Sequence, residues 1–308
     1  LHLSIRRQRQ MCIRDSHWQC FVGRDSSINR GSKRTALILR RSKMSINKYG
    51  EFGVSTQRWH SAALALEYAL VPWDSRIFGF TVAQISAISV EDVAAAGADF
   101  DVFNAWRDAH QVALVSCRLA HDRLRESMLL EAQGFRFVEM VYPMRCSWVE
   151  AAAFSPSDLT IGRATLADLE AIQEIGAAAF ATGRFNMDPR IGPELGGKRY
   201  AVWVANSLHS QSQVVVKALL GDQLVGFFIY ENRPDDSAYW HLTAVSPAHQ
   251  GQGIGAILWR EMIMLHKRDA RRRIDTVVSA RNTPVLNLYA KLGFRFESPQ
   301  MTFHWSRQ

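Results

Sequence analysis

The residues best suited to chemistry lie in the C-terminal third of the chain. Gln250-Gly251-Gln252-Gly253-Ile254-Gly255-Ala256 sets three glycines at alternate positions. Without Cβ atoms the backbone can turn tightly and bring several N–H groups up to a ligand. Ile254, Ile257, Leu258, Met262 and Leu265 then recur at helical spacing, so the turn opens a helix. Its N–H groups lie at a helix N-terminus, where unpaired donors and the helix dipole favour an anion, and a phosphate suits them. A dinucleotide fingerprint does not fit. The spacing is Gly-x-Gly-x-Gly, and Asp275, about 20 residues on, falls inside the next strand. No Lys-Ser/Thr follows, which removes a Walker loop. Upstream, Tyr239 to Val245 is a strand candidate ended by Pro247, and His241 on it is a side chain suited to a base near neutral pH. Strict alternation sets His241 on the same face as Thr243 and Val245.

The elements around these residues follow from pattern. Thr276 to Ala280 is a short apolar strand. Thr283-Pro284 opens a helix with Pro at a favoured first position, and Gly293 closes it. Asn282 precedes that helix and Tyr289 lies within it. Upstream, Leu159 to Arg163 reads as a strand, and Thr165-x-x-Asp168 as a capping pattern before a helix with Leu169, Ile172 and Ile175. Ala181 to Ile191 is a polar loop, and a helix runs through Tyr200, Val204 and Leu208. Gln213 to Leu220 and Leu224 to Glu231 form a hairpin over Gly221-Asp222.

Gln250, Gly253 and Gly255, the preceding Ala-Val-Ser-Pro247, Asn282 and Tyr289-x-x-x-Gly293-Phe294 together resemble the GNAT N-acetyltransferases over residues 159–305. The resemblance implies an α/β GNAT fold, a mixed sheet flanked by helices, with acetyl-CoA as co-substrate and no metal. It implies that residues 250–256 hold the pyrophosphate and that backbone groups at Ala244 and Val245 are open to the cofactor where their strand splays from its neighbour. Asn282 would bond the pantetheine arm or pyrophosphate region. The Val245 N–H would polarise the thioester carbonyl, and Tyr289 would protonate the leaving thiolate. The base is open between His241, directly or through water, and a water chain.

The first half, residues 58–150, reads as a short first strand followed by a β-α-β-α-β order. Strands are expected at Leu66 to Leu70, Thr81 to Ile88, Gln111 to Cys117 and Phe135 to Cys146. A helix broken near Gly97 spans Val90 to His110, and a second spans His121 to Gln133. Gly134-Phe135 echoes Gly293-Phe294, but no glycine turn matches 250–255. This half is read as a smaller, degenerate GNAT-like domain without a cofactor of its own, joined through linker 151–158 to a catalytic domain at 159–308. Pro72-Trp73-Asp74-Ser75-x-x-Phe78-Gly79-Phe80, read as an aromatic turn, resembles the TDP-fucosamine acetyltransferases, which acetylate the 4-amino group of a dTDP-linked amino-dideoxy sugar. Gly183-Arg184-Phe185-x-x-Asp188-Pro-Arg190 resembles the same group. That implies a nucleotide-sugar acceptor, with Trp73, Phe78 and Phe185 in its site and Arg184 and Arg190 on its diphosphate; each of these residues also has a plain packing or surface reading. Two alternatives stay open: a peptide N-terminus or other small amine as acceptor, and a non-catalytic CoA- or nucleic-acid-binding protein.

The chain of 308 residues carries a formal net charge of +8. Residues 1–60 hold 13 Lys/Arg against 3 Asp/Glu, and the remainder 24 against 26, so the basicity belongs to the N-terminal stretch. Residues 1–57, rich in Arg and Ser, are expected to be a disordered tail. It reads as a nucleic-acid arm, a transit peptide, or sequence upstream of the true start. The third reading is preferred: Ser4 to Ser16 resembles translated adaptor sequence, and Met44 is a plausible start. On that reading no nucleic-acid partner is expected. No apolar run approaches a membrane span, and Cys12, Cys20, Cys117 and Cys146 show neither metal nor disulfide spacing. A cytoplasmic setting is expected, and a homodimer is compatible with the sequence.

Overall fold

The computed structural model describes residues 55–147 and 157–307. Most of the basic tail and most of the 151–158 linker lie outside the described residues. The N-terminal half contains β1 (Gln57–His60), β2 (Leu64–Leu70), α1 (Pro72–Phe78), β3 (Val82–Val90), α2 (Val93–Asp99), α3 (Asp101–Ala109), β4 (Leu114–Ala120), α4 (Leu124–Ala132) and β5 (Arg136–Ser147). The C-terminal half contains β6 (Leu159–Arg163), α5 (Leu169–Ala179), α6 (Arg184–Met187), α7 (Pro193–His209), β7 (Gln213–Leu220), β8 (Gln223–Asn232), β9 (Ser237–Val245), α8 (Ile254–Arg268), β10 (Arg273–Ser279), α9 (Thr283–Lys291), β11 (Arg295–Phe296) and β12 (Gln300–Ser306).

These strands form one 12-stranded mixed sheet in the order β1-β2-β3-β4-β12-β5-β10-β9-β8-β7-β6, with β11 added beside β5. The two halves have exchanged their last strands. β5 pairs antiparallel with β10 of the other half, and β12 inserts between β4 and β5. Phe303 is buried on β12 within the core of the N-terminal half, with Phe100, Phe103 and Phe135. The C-terminal half keeps two cores, one on each face of its sheet. Trp240, Val245, Leu258, Met262, Tyr289 and Phe294 form the core on the α8 and α9 side. Ile172, Trp203, Val204, Phe227, Leu242 and Ala244 form the core on the α5 and α7 side. No helix among the described residues is long and apolar enough to cross a membrane.

Two local differences from the sequence expectation bear on the site. Pro72–Phe78 is a helix, not a turn. Pro72 occupies its first position, and Gly79, at φ 78°, caps it by donating to Ser75 O. The expected loop at 181–191 contains the short helix α6.

Each half also contains one parallel strand pair that is joined over four residues and then parts. β3 and β4 pair from Val82↔Leu114 to Ile85↔Cys117, and β9 and β10 from Ser237↔Arg273 to Trp240↔Thr276. Beyond Trp240 and Thr276 the two central strands of the C-terminal half splay, and β5 takes the far side of β10 as far as Ser279↔Val141.

Candidate active site

The splay opens into a cavity that runs between the faces of the sheet. Thr243 and Tyr289 line it from the α9 side, with Thr276, Val277 and Val278 from β10. Phe180, Arg184, Phe185, Arg199, Tyr200 and Trp203 line it from α5, α6 and α7. Arg118, Glu139 and Val141, from strands of the N-terminal half, complete it.

Tyr289 is 1% exposed. Burial raises its phenol above the ordinary value of 10, against the opposing pull of hydrogen bonding with Thr243 and Thr276, and the Trp259 indole lies alongside. The phenol is therefore a neutral O–H at any ordinary pH, able to give a proton. Thr276 is itself fixed, since its hydroxyl donates to Trp240 O at 3.1 Å. Behind it, Trp240 donates its indole N–H to Nε2 of His266 at 2.9 Å. Burial, with help from the Arg271 charge, lowers the His266 pKa to about 4, which keeps Nε2 an acceptor.

His241 reaches the same cavity from the other face. The β8–β9 register slips between Ile229 and Tyr230, which pair with Leu242 and Trp240, so His241 is an extra, bulged residue. The bulge corrects the alternation expected from sequence. Thr243 turns towards Tyr289 on the α9 side, whereas the His241 ring lies 6.1 Å from Trp203 of α7 and 4.8 Å from Tyr239. Its Nε2 is 3.3 Å from Oε2 of Glu231.

Ala244 and Val245 end β9. Ser246 donates its N–H to Val225 O on the β8 side, so strand alternation turns the Val245 N–H the other way, towards the gap left by β10. The turn that follows is held from within. Gln250 Nε2 donates to Val245 O at 3.1 Å, and Gln252 Nε2 to Ala248 O at 3.0 Å. Gly251 and Gly253 sit at φ 75° and 81°, in the left-handed region that favours glycine, and a Cβ on either would meet open space. Gly253 caps α8 without a side-chain partner, and Ile254, Gly255 and Ala256 are its first three residues. The Ile254 and Gly255 N–H groups have no carbonyl four residues back within the helix. Gly255 lies against Val245 and Leu288, so a Cβ there would touch the strand end and α9. The open glycine turn and the N–H groups of the helix start leave room and donors for a phosphate group.

Asn282 lines the cavity and also caps α9, with its side-chain oxygen accepting from the Val285 N–H at 3.3 Å. Arg184 and Phe185 are buried in the wall. Three residues expected in the acceptor site stand behind the wall instead. Trp73 packs on Trp203 and on the Arg199 guanidinium, 4.7 Å from its ring. Phe78 is buried against Phe185 and Phe80. The Arg190 guanidinium grips both oxygens of Asp188, at 2.8 and 2.7 Å. Burial disfavours the Asp188 carboxylate, but hydrogen bonds from His304 and Arg190 outweigh it and hold it well below the usual carboxylate range. Asp74, inside the motif at 72–80, forms a buried ion pair with Arg199 at 2.7 Å, so the motif ties α1 of one half to α7 of the other.

Thr243, Thr276, Arg118 and Glu139 also line the cavity, and none of them was expected as a site residue. Thr243 adjoins Ala244, an expected cofactor residue, and Thr276 opens the strand expected before Asn282. Arg118 lies within β4 between buried Cys117 and Leu119, so a charge inside an apolar strand was the available signal.

Residues 184–294 match the model of the acetyltransferase (GNAT) family. The fold is the GNAT fold. Solved structures similar to the chain include a GCN5-related N-acetyltransferase from Sphaerobacter thermophilus, with a TM-score of 0.57 at 14% identity over 79% of this chain and 77% of that one. A functionally unknown conserved protein from Staphylococcus epidermidis gives 0.59 at 12% identity, over 82% and 95%. A tandem GNAT protein from the clavulanic acid biosynthesis pathway gives 0.55 at 12% identity, over 82% and 83%. No curated protein matches the sequence. The GNAT fold accounts for the parted central strands and the glycine turn, and the tandem neighbour accords with the GNAT-like first half.

Proposed function

We propose that the chain transfers an acetyl group from acetyl-CoA to a primary amine, and that the amine belongs to a nucleotide-linked amino sugar. The observation that carries the transfer reading is the parting of β9 and β10 beside a buried, neutral Tyr289. Acetyl-CoA supplies a thioester carbonyl open to attack by an amine. The open N–H groups at Ile254 and Gly255 hold a pyrophosphate at the α8 start, and the Gln250 side chain fixes the turn to the strand end. The Val245 N–H, turned into the gap, donates to negative charge as it develops on the thioester oxygen. Tyr289 gives its phenolic proton to the departing sulfur, and Thr243 and Thr276 fix the direction of that hydroxyl. His241, steadied by Glu231, takes the proton from the attacking amine directly or through water. Holding both reactants on one framework contributes much of the acceleration.

The acceptor reading draws support from the wall, where Arg184 and Phe185 line the cavity among further guanidinium groups. With Trp73, Phe78 and Arg190 behind the wall, it rests on fewer residues than the sequence motifs suggested. The test is release of free thiol from acetyl-CoA with dTDP-4-amino-4,6-dideoxygalactose beside a peptide amine. Release with the sugar nucleotide supports the whole proposal. Release with the peptide alone keeps acetyl transfer and rejects the sugar. Binding of CoA without release to either acceptor counts against the transfer reading.

A further inference from the structure

The cavity is not built from the GNAT-matched segment alone. Part of its wall comes from Arg118 of β4 and Glu139 of β5, in the half that has no glycine turn. The two form an ion pair at 3.0 Å, with side chains 11% and 5% exposed. Arg118 also donates through Nε to the hydroxyl of Thr302 at 3.0 Å, and Thr302 is fully buried on β12. The exchanged strand therefore holds the guanidinium in place. An ion pair withdrawn from water contributes little net stability, because desolvation offsets the attraction. Buried charge on the wall of a cavity is better explained by what the cavity binds. The lining includes the guanidinium groups of Arg118 and Arg184, the single carboxylate of Glu139, and Arg199, whose charge is met by Asp74 at 2.7 Å. Guanidinium groups match the oxygens of carboxylates and phosphates in geometry and charge.

We propose that Arg118 binds an oxyanion group, carboxylate or phosphate, carried by the acceptor at the end remote from its amine, and that Glu139 and Thr302 orient Arg118. The N-terminal half thereby reads the acceptor while the C-terminal half holds the cofactor. This rests on taking the cavity as the acceptor side of an acetyl-transfer site.

Calorimetric binding in the presence of CoA tests it on the full chain. One arm compares the 1-phosphate of 4-amino-4,6-dideoxygalactose with the methyl glycoside of the same amino sugar, which isolates the phosphate. The other compares an alanyl dipeptide with its C-terminal amide, which isolates the carboxylate. We expect one charged probe to bind at least about tenfold more tightly than its uncharged partner. That ratio should be lost in Arg118→Gln. It should also be lost in the double variant Arg118→Gln/Glu139→Gln, which leaves no unpaired buried carboxylate and decides the matter if the single variant does not fold. No charge preference in the wild type, or a preference that survives both variants, overturns the assignment. Thiol release with the same probes separates the two claims. A preference that depends on Arg118 without thiol release keeps the Arg118 assignment and rejects acetyl transfer. Thiol release without such a preference does the reverse.

Discussion

Tyr289 combines near-complete burial with a phenol raised above 10. A proton donor held that high stays loaded through the neutral range, so any alkaline fall in rate comes from another group. Replacing Tyr289 with Phe removes only the hydroxyl and keeps the ring contacts to Trp240, Trp259 and Phe294. We expect kcat for thiol release to fall by about 10²-fold or more, with CoA affinity within about twofold of wild type. An unchanged kcat would remove Tyr289 from the chemistry. Two buried histidines make a separate prediction about stability. His266 and His304 are both held down to about 4 by burial. His304 donates Nδ1–H to Asp188 at 2.8 Å, and its Nε2 has no partner to receive a second proton. The unfolded chain binds protons on these rings from about pH 6.5 downward, and the folded chain does so only near 4. Their contribution to stability is thus complete above about 6.5 and lost as pH falls towards 4. Thermal melts between pH 7 and 4.5 should show that decline, with a shallower slope in His304→Gln. An equal slope in both would show that His304 does not titrate this way.

Among the elements, the β9–turn–α8 unit was legible because its signals are local. Pro247, the alternate glycines and the apolar helical period all lie within about 25 residues. The β7–β8 hairpin and the α9 caps were legible for the same reason. The bulge at His241 was not, because it depends on register against β8, and alternation alone then gives the wrong face. The α1 helix was hidden by its aromatic content, although Pro72 and Gly79 mark its two ends. Gly226 tests the geometry of the parted strands. It pairs with Val245, and a Cβ there would sit 2.6 Å from Ala244 O and 2.8 Å from the Leu258 side chain. Gly226→Ala should therefore push β8 from the end of β9, destabilising the fold by about 1–3 kcal/mol and weakening CoA binding. Urea titration and calorimetry read both effects. Wild-type values in each would mean that the close approach of β8 to β9 does not set the site.

Across the molecule, the exchange of β5 and β12 was the feature least visible in sequence. Gln300–Ser306 contains good strand formers, but nothing nearby indicates that its partner is β4, more than 180 residues earlier. The exchange makes each half depend on the other's last strand. Phe303 and His304 are buried in the middle of the sheet, so deleting residues 298–308 would bare the edges of β4 and β5. We expect that truncated chain to lose its cooperative melt. Retention of the wild-type melting temperature would show that β12 is dispensable. The same architecture sets two parted strand pairs in one sheet, of which only one has a glycine turn. In the N-terminal half, Asp92 caps α2 by accepting from Ala94 and Ala95, and the buried Glu126 carboxylate accepts from the Val90 N–H. Its helix start and strand end are therefore already engaged by the chain's own carboxylates, whereas the Gly251–Gly255 turn is open. Amide hydrogen exchange with and without acetyl-CoA puts the central claim to the most direct test, since it needs no acceptor. Protection should appear at Ala244–Val245 and Gly251–Ala256 and leave Val90–Ala95 unchanged. Protection at Val90–Ala95, or none at Gly251–Ala256 under saturating acetyl-CoA, would contradict the account.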